Sequence, residues 1–341
     1  HELPIEYRCV EVAAAQLTNT LKPITFWFHD RVSARFVVEL FAAVAGGEDQ
    51  AAKYPFGYPF LEPISPLRFP RDGIDLLFET CRVPLPVPIG PMVQMGMSGP
   101  CTVAGTMAVE NAEILAGVCV VQMIRPGTPV CYGGICHAFD MRTTQIVFDG
   151  PEAALIGAAM TQMGKHYGLP VYINAGMTDS KTPDAQAGCE VGVTLAYGAM
   201  AGADIFGHLG ICGADQGGNL DILVLQDEII SYVERIMRGV TVDDEHLAVD
   251  LVEQLGPGAT FIDHESTVRF MREEIWMPRI FDRQFFGAWE NSQQRLTSQR
   301  ARQLRNDLLA AYEPCPLNDD TQREVQKIIA AAKAAAESGS A

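Results

Sequence analysis

Three short segments carry most of the side chains that could do chemistry. The first holds Tyr132, His137, Phe139, Asp140 and Arg142. The second holds Tyr172, Asn174, Asp179, Ser180 and Lys181, and the third Asp204, Phe206, His208 and a glycine-rich run from Gly213 through Gly217 to Gly218. Rings, amides and glycines dominate, with carboxylates interspersed. Ring faces attract cations, so this set suits a cationic or neutral substrate better than a phosphorylated one. Gln186 and Glu190 stand four apart and share one face of an otherwise apolar helical stretch. Polar groups there invite attention, because burying them without partners costs free energy. Plainer roles stay open for each residue. Asp140 and Arg142 could form a local ion pair, Asp179 and Ser180 could cap a helix, and His208 could be a hydrogen-bonded core histidine. Lys181, at the end of a strand, could form an imine in a lyase or aldolase.

These segments need elements to hold them, and the chain supplies a repeating rhythm. Short apolar runs at 24–28, 60–67, 87–93, 129–135, 169–175 and 203–209 alternate with helically spaced stretches such as 101–121, 151–167 and 183–201. Apolar runs without polar alternation suit strands covered on both faces. Their alternation with helices predicts right-handed β-α-β units and a parallel sheet, hence an α/β fold. An eight-stranded (β/α) barrel is preferred to an open doubly wound sheet. The glycine-rich phosphate loop that the open sheet often carries is missing, and Pro100 spoils the nearest approach, Gly96-Met-Ser-Gly99. Six strands fall short of eight. Either two precede His1, or the segments around Phe261 and the N-terminal leader contribute. Residues 1–282 then form the barrel, lacking an N-terminal portion, and 283–341 a C-terminal helical arm. That arm is read either as a solvated tail or as a packed element contacting a second subunit, since Trp276, Phe285, Phe286 and Trp289 immediately precede it.

Composition narrows the function further. The chain has 341 residues and a formal net charge of −17, which argues against binding nucleic acid or an anionic membrane. No apolar run reaches the length of a membrane span, since Val118 to Ile124 is interrupted by Gln122 and closed by Arg125-Pro126-Gly127. Nine cysteines form no C-x2-C pair, and most stand beside small apolar residues, so they read as buried free thiols of a cytoplasmic protein. No G-x-S-x-G, H-E-x-x-H or Walker pattern occurs, and the seven histidines do not cluster, so no bound metal is expected.

In order along the chain come Ile64-Ser-Pro-Leu67, Gly99-Pro-Cys-Thr-Val-Ala-Gly105, Asn111-Ala-Glu-Ile-Leu-Ala-Gly117, Arg125-Pro-Gly-Thr-Pro-Val-Cys-Tyr-Gly133 and Asp140-Met-Arg142. Thr178-Asp-Ser-Lys181, Asp184-Ala-Gln-Ala-Gly188, Glu190, Leu223-Val-Leu-Gln-Asp-Glu228, Gly256-Pro-Gly258 and His264-Glu-Ser-Thr267 follow. Together they resemble the trimethylamine methyltransferase superfamily, corrinoid-dependent enzymes with a TIM-barrel fold. The resemblance implies methyl transfer from a methylated amine to cob(I)alamin carried by a separate corrinoid protein, with no cofactor tightly bound to this chain. It also implies that this chain is shorter than its relatives at the N-terminus. Members acting on trimethylamine use a pyrrolysine, whereas this chain has only the ordinary twenty residues. A quaternary ammonium leaves as a neutral tertiary amine and needs only positioning and desolvation. The implied donor is therefore a quaternary amine such as glycine betaine. Tyr132, Phe139, Tyr172 and Phe206 would surround its ammonium head. His208, Asn174, Gln186 and the amides of Gly213 to Gly218 would hold a carboxylate tail. Asp179, Ser180 and Lys181 would shape the floor or receive the corrinoid, and with Gln186 and Glu190 they are the catalytic candidates. The turn after Ala175 is the first candidate for the pyrrolysine-equivalent position, and the turn after Gly210 the second. A homo-oligomer is expected; a non-catalytic methylamine-binding barrel is the alternative to an enzyme.

Overall fold

The structure is a computed structural model and describes all residues except 1–2, 27, 29, 293–294, 315–316 and 339–341. Parallel pairing runs through the strands in the order of the sequence. Ile24–Phe26 pairs with Gly57–Pro59, and a parallel bridge joins Leu61 to Ile89. Val87–Ile89 then pairs with Val130–Gly134, that strand with Val171–Asn174, and that in turn with Ile205–Gly207. A helix follows each strand: Arg31–Ala45, Arg71–Thr80, Val103–Ile124, Pro151–His166, Ala185–Ala201 and Leu220–Met237. The expected α/β alternation is therefore present, with parallel strands each followed by a helix.

Local chemistry sets the helix starts. Asp30 accepts from Ser33 N, Thr102 from Gly105 N, Asp184 from Ala187 N, and Asn219 from both Asp221 N and Ile222 N. Pro151 opens its helix, where a missing N–H costs nothing. Asp184 is thus the cap that the sequence left open to Asp179 or Ser180, which leaves those two for other work.

Three apolar clusters hold the strands in place. Ile89, Ile114, Tyr132 and Met160 pack between strands and helices, and Val171, Ile173, Val191 and Leu225 form a second cluster on the same, helix-facing side. Phe60, Cys131, Ile135 and Tyr172 pack together on the opposite face of the strands. A further cluster unites the chain ends: Phe36, Val37, Leu40 and Phe41 of Arg31–Ala45 meet Cys9, Val10 and Ala13 of Ile5–Asn19 and Val325 and Ile328 of Asp319–Glu337.

Several expectations change. The segment around Phe261 is turn rather than strand, so it adds nothing to the sheet. Past residue 283 the chain is a packed element rather than a solvated tail. Thr297–Ala310 packs on Leu220–Met237, where Arg302 and Arg305 grip the buried Asp221, and Asp319–Glu337 packs on the N-terminal helices. Cys101, Cys119 and Cys189 are exposed rather than buried. Val103–Ile124 is long and apolar enough by composition to cross a membrane, with mean hydropathy 1.5. Its outer face exposes Ala104, Ala108, Ala112, Ala116 and Met123, however, and its inner face buries Ile114 and Val121 together with Thr106, Glu110 and Glu113.

Candidate active site

Strand periodicity decides which residues of the three segments meet. Side chains alternate across a strand, so Cys131 and Ile135 share a face that Tyr132 cannot share. Tyr172 and Asn174 lie on the face occupied by Cys131 and Ile135, and Gly207 completes the floor beside them. A Cβ at Gly207 would lie 1.5 Å from the Tyr172 hydroxyl, so only glycine admits the phenol there. The Phe60 ring contacts Tyr172 edge-on at 4.8 Å, and it occupies the space that a Cβ at Gly90 would need.

At the carboxyl ends of these strands a hydrogen-bonded chain links three elements. His137 Nδ1 lies 3.2 Å from the Phe148 carbonyl, Asn174 Nδ2 lies 3.0 Å from His137 Nε2, and His208 Nδ1 lies 2.6 Å from Asn174 Oδ1. The direction is fixed from one end. A carbonyl only accepts, so His137 carries its proton on Nδ1 and accepts at Nε2 from the Asn174 amide. Asn174 Oδ1 then accepts from His208 Nδ1–H, which leaves His208 Nε2 without a proton. Burial lowers the His137 pKa to about 3 and that of His208 to about 4, so both rings are neutral at physiological pH. The Tyr172 hydroxyl adds a further contact at 3.4 Å from His208, and its own pKa is raised by burial. His208 adopts a positive φ of 70°, backbone strain that a buried hydrogen-bond network can sustain.

Helix-borne polar groups fasten the loops around this cluster. Glu110 accepts from Val93 N and Ile135 N, while Glu113 accepts from the Ser65 hydroxyl and Leu67 N. Gln226 donates to the Gly176 carbonyl and accepts from Gly210 N. Glu190 accepts from the Thr178 hydroxyl at 2.6 Å and from Asp179 N at 3.0 Å, and its other oxygen accepts from Gln186 Nε2. Strand-end N–H groups cannot all find partners within a sheet, and buried ones left alone are costly, so the following helices supply the acceptors. Burial pushes the Glu110 carboxyl well above its ordinary range, and its backbone donors offset this only in part.

The remaining candidates have distinct places. Asp179 Oδ1 accepts from Phe148 N, and burial raises its pKa. Beside it, Asp149 is buried with neither carboxyl oxygen hydrogen-bonded among the described residues; burial first, then the nearby Asp179 and Glu190, drive its pKa well up. Ser180 donates to Asp184, and the exposed Lys181 donates to the Asp179 carbonyl at 2.7 Å. Gly213 N reaches the carbonyls of Thr178 and Ser180, tying the hairpin Ile211–Cys212/Gly217–Gly218 to the turn after Ala175; Gly217 itself is exposed. Phe139 lies in a small sheet in which His137–Asp140 pairs with Gln94–Met95 and Gln145–Val147. Gln186 is exposed and acts on Glu190 rather than within the cluster.

Two aromatic residues do not reach this face. Tyr132 points to the helix layer, where its hydroxyl bonds Asn111 Oδ1 at 2.8 Å. Phe206 packs against Leu195 and Gly198 and lines an apolar cavity of about 220 Å³ with Ile230, Val233 and Met237. Both occupy strand positions of opposite parity to the residues of the cluster. Conversely, the sequence gives no site role to Phe60, Glu110, Glu113, Asp149 or Gln226, and offers His137 only as a strand-end residue. A signal existed for the two glutamates, because they interrupt an apolar helix as Glu190 does. A larger cavity, about 650 Å³, is lined entirely by residues between Asp244 and Phe270, none from a strand or a strand-end loop. It therefore lies outside this site.

Comparison with known proteins identifies the relatives of this chain. A family model described as trimethylamine methyltransferase matches residues 1–337. The glycine betaine methyltransferase of Desulfitobacterium hafniense strain Y51 is 30% identical over 330 residues, 96% of this chain and 69% of that protein. The trimethylamine methyltransferase MttB of Methanosarcina barkeri strain Fusaro is 30% identical over 336 residues, 96% of this chain and 68% of that protein. MttB of D. hafniense strain DCB-2 is 29% identical over 323 residues, covering 94% and 64%. The chain thus spans about two thirds of the length of these relatives. With both the family model and its relatives matched over nearly the whole chain, the protein belongs to the trimethylamine methyltransferase family.

Proposed function

We propose that this protein transfers a methyl group from a quaternary methylated amine, glycine betaine being the model compound, to cob(I)alamin on a separate corrinoid protein. The sequence carries the choice of donor: every position is one of the ordinary twenty residues, and a relative named for glycine betaine is among the similar proteins. A quaternary ammonium departs as a neutral amine, so the protein need only position and desolvate it. The uncharged wall formed by His137, Asn174, His208 and Tyr172 supports this reading, since it offers orientation without a strong acid.

The methyl acceptor, when presented by its partner, supplies the nucleophile; the roles left to this chain are binding and exclusion of water. Neutral histidines do not repel an ammonium, and ring faces attract it by about 0.5–2 kcal/mol each. Glu190, Gln226 and Glu110 keep the strand-end loops in one geometry, which matters because small displacements of reacting groups are costly in rate. The parallel strands and their helices are read as part of a (β/α)8 barrel with this cluster at its carboxyl-terminal mouth. A homo-oligomer belongs to the same reading. The outer faces of Val103–Ile124 and Ala185–Ala201 expose Ala104, Ala108, Met123, Val193, Tyr197 and Met200, an apolar surface that suits another subunit. The alternative of Lys181 as an imine former is less well supported, because the side chain is exposed and its ammonium is engaged by Asp179.

The test is spectroscopic. Cob(I)alamin methylation is followed with glycine betaine, carnitine, choline and trimethylamine as donors. Methylation by a quaternary compound and none by trimethylamine is expected; methylation by trimethylamine would defeat the leaving-group argument.

A further inference from the structure

Between Val233 and Ile280 the chain makes a long excursion in which no residue is buried. Its helices Asp244–Leu247, Val249–Leu255 and Glu265–Glu274 are four, seven and ten residues long. Isolated helices of fewer than about 12–15 residues are marginal in water, so this stretch needs a surface to pack on. It offers itself little. Arg269 pairs with Glu245, and the Phe270 ring meets that of His246 at 5.0 Å. Between these elements lies the cavity of about 650 Å³, walled by Leu247, Leu251 and Phe270. Its volume falls within the roughly 300–1,000 Å³ of pockets that enclose a ligand. Asp244, Asp250 and Glu265 also line it, and none of the three forms an ion pair among the described residues.

Complementary features stand a few residues further on. Phe285 and Phe286 are 91% and 72% exposed, an unfavourable position for two adjacent phenyl rings. Just before them the exposed Arg283 lies over the Trp276 ring at 5.3 Å and forms no ion pair among the described residues. Charge divides the same way. Residues 240–275 hold nine carboxylates against two arginines, and residues 276–305 hold six arginines against two carboxylates. Neither phenyl ring lines the cavity of its own chain. We propose that Phe285 and Phe286 of one copy enter the cavity of a second copy, with Arg283 facing its Asp244, Asp250 and Glu265. A two-fold axis makes this contact twice, since each copy carries both the rings and the cavity. A basic partner of another kind would meet the carboxylates but leave the rings and arginines uncovered. Aromatic anchors in a pocket with charges at its rim are the pattern of a specific interface. This surface is separate from the outer faces of Val103–Ile124 and Ala185–Ala201, and it does not depend on the methyl-transfer reading.

Sedimentation of the full chain at micromolar concentration, without corrinoid or donor, tests the contact. Wild type is expected to be a pair of copies or a multiple of one. Phe285→Ser and Leu247→Asp are each expected to weaken association about tenfold or more, as loss of a central anchor does. Both side chains are more than half exposed in the single chain, so an unchanged urea midpoint for the monomer is expected of each. Mixing the two variants is expected to recover a pair, because one of the two ring-to-cavity contacts survives in the mixed species. A folding defect is not cured by mixing. Met200→Glu, on the outer face of Ala185–Ala201, should leave the pair intact. A monomeric wild type, variants that associate normally, or a mixture that stays monomeric would overturn the proposal. So would dissociation by Met200→Glu in place of Phe285→Ser.

Discussion

Helices Arg31–Ala45 and Val103–Ile124 differ in how much polarity they bury. The first hides Phe36, Val37, Leu40 and Phe41 among the chain-end helices and exposes Arg31 and Arg35. The second hides Thr106, Glu110 and Glu113 along with Ile114 and Val121, and exposes Ala104, Ala108, Ala112, Ala116 and Met123. The chain-end layer has only side chains to pack, so removing apolar area from water decides its arrangement. The helix near the strand ends faces backbone N–H groups with no sheet partner, and a buried carboxyl that accepts two of them outweighs the loss of apolar contact. The difference teaches that polar residues inside this molecule mark where the backbone turns, and that these turns surround the candidate site.

The contrast can be broken most forcefully in the chain-end layer. Phe41→Ala should destabilise the protein by about 3–5 kcal/mol in urea unfolding, because the ring is almost fully buried, while the folded fraction keeps its methyl-transfer rate. If the rate per folded molecule also collapsed, the two regions would not be separable. Asn174→Leu should reverse the pattern. It severs the link between His137 and His208, and about a hundredfold loss of rate is expected, as for misplacement of a positioning group. Glu113→Ala orphans the Ser65 hydroxyl and Leu67 N and should cost about 1–3 kcal/mol; a neutral result would mean that water replaces the carboxylate.

Acid distinguishes the regions more gently. His137 and His208 are held neutral down to about pH 3 and 4, whereas in the unfolded chain each titrates near 6.5. The unfolded state therefore binds more protons below 6.5, and stability falls with decreasing pH until the folded values are reached. Each histidine contributes a slope of about 1.4 kcal/mol per pH unit within that window. Unfolding measured from pH 7 to 4.5 should lose part of this slope in His208→Gln, and an unchanged slope would contradict a neutral buried ring. The smallest effect is expected at Tyr132→Phe. Only the bond to Asn111 is lost, worth about 0.5–1.5 kcal/mol, with no change in methyl transfer because the ring points to the helices. A large loss of activity there would return Tyr132 to the substrate site.

Much of the molecule was legible from residue order. The alternation of apolar runs and helices predicted the parallel pairing, and Pro151 and Gly202 stand at a helix start and a helix end. The turn after Ala175 stood out by its polarity, and it is the segment that Glu190, Gly213 and Phe148 converge on. Less legible was which side of a strand each ring would take. A short strand covered on both faces shows no polar alternation, so Tyr132 and Tyr172 look alike in sequence although one faces helices and the other the cluster. The partners of Glu110 lie 17 and 25 residues away, a distance over which no local pattern carries information.

The amino-acid order by itself determined the β-α rhythm, the acidic balance and the family, because each depends on near neighbours or on summed composition. Tertiary structure alone decided the direction of the His137–Asn174–His208 chain, the burial of Asp149 and the pairing of the two chain ends through Phe41 and Val325. These depend on groups distant in sequence sharing a low-dielectric interior, where an unpaired donor or charge is expensive enough to select one arrangement.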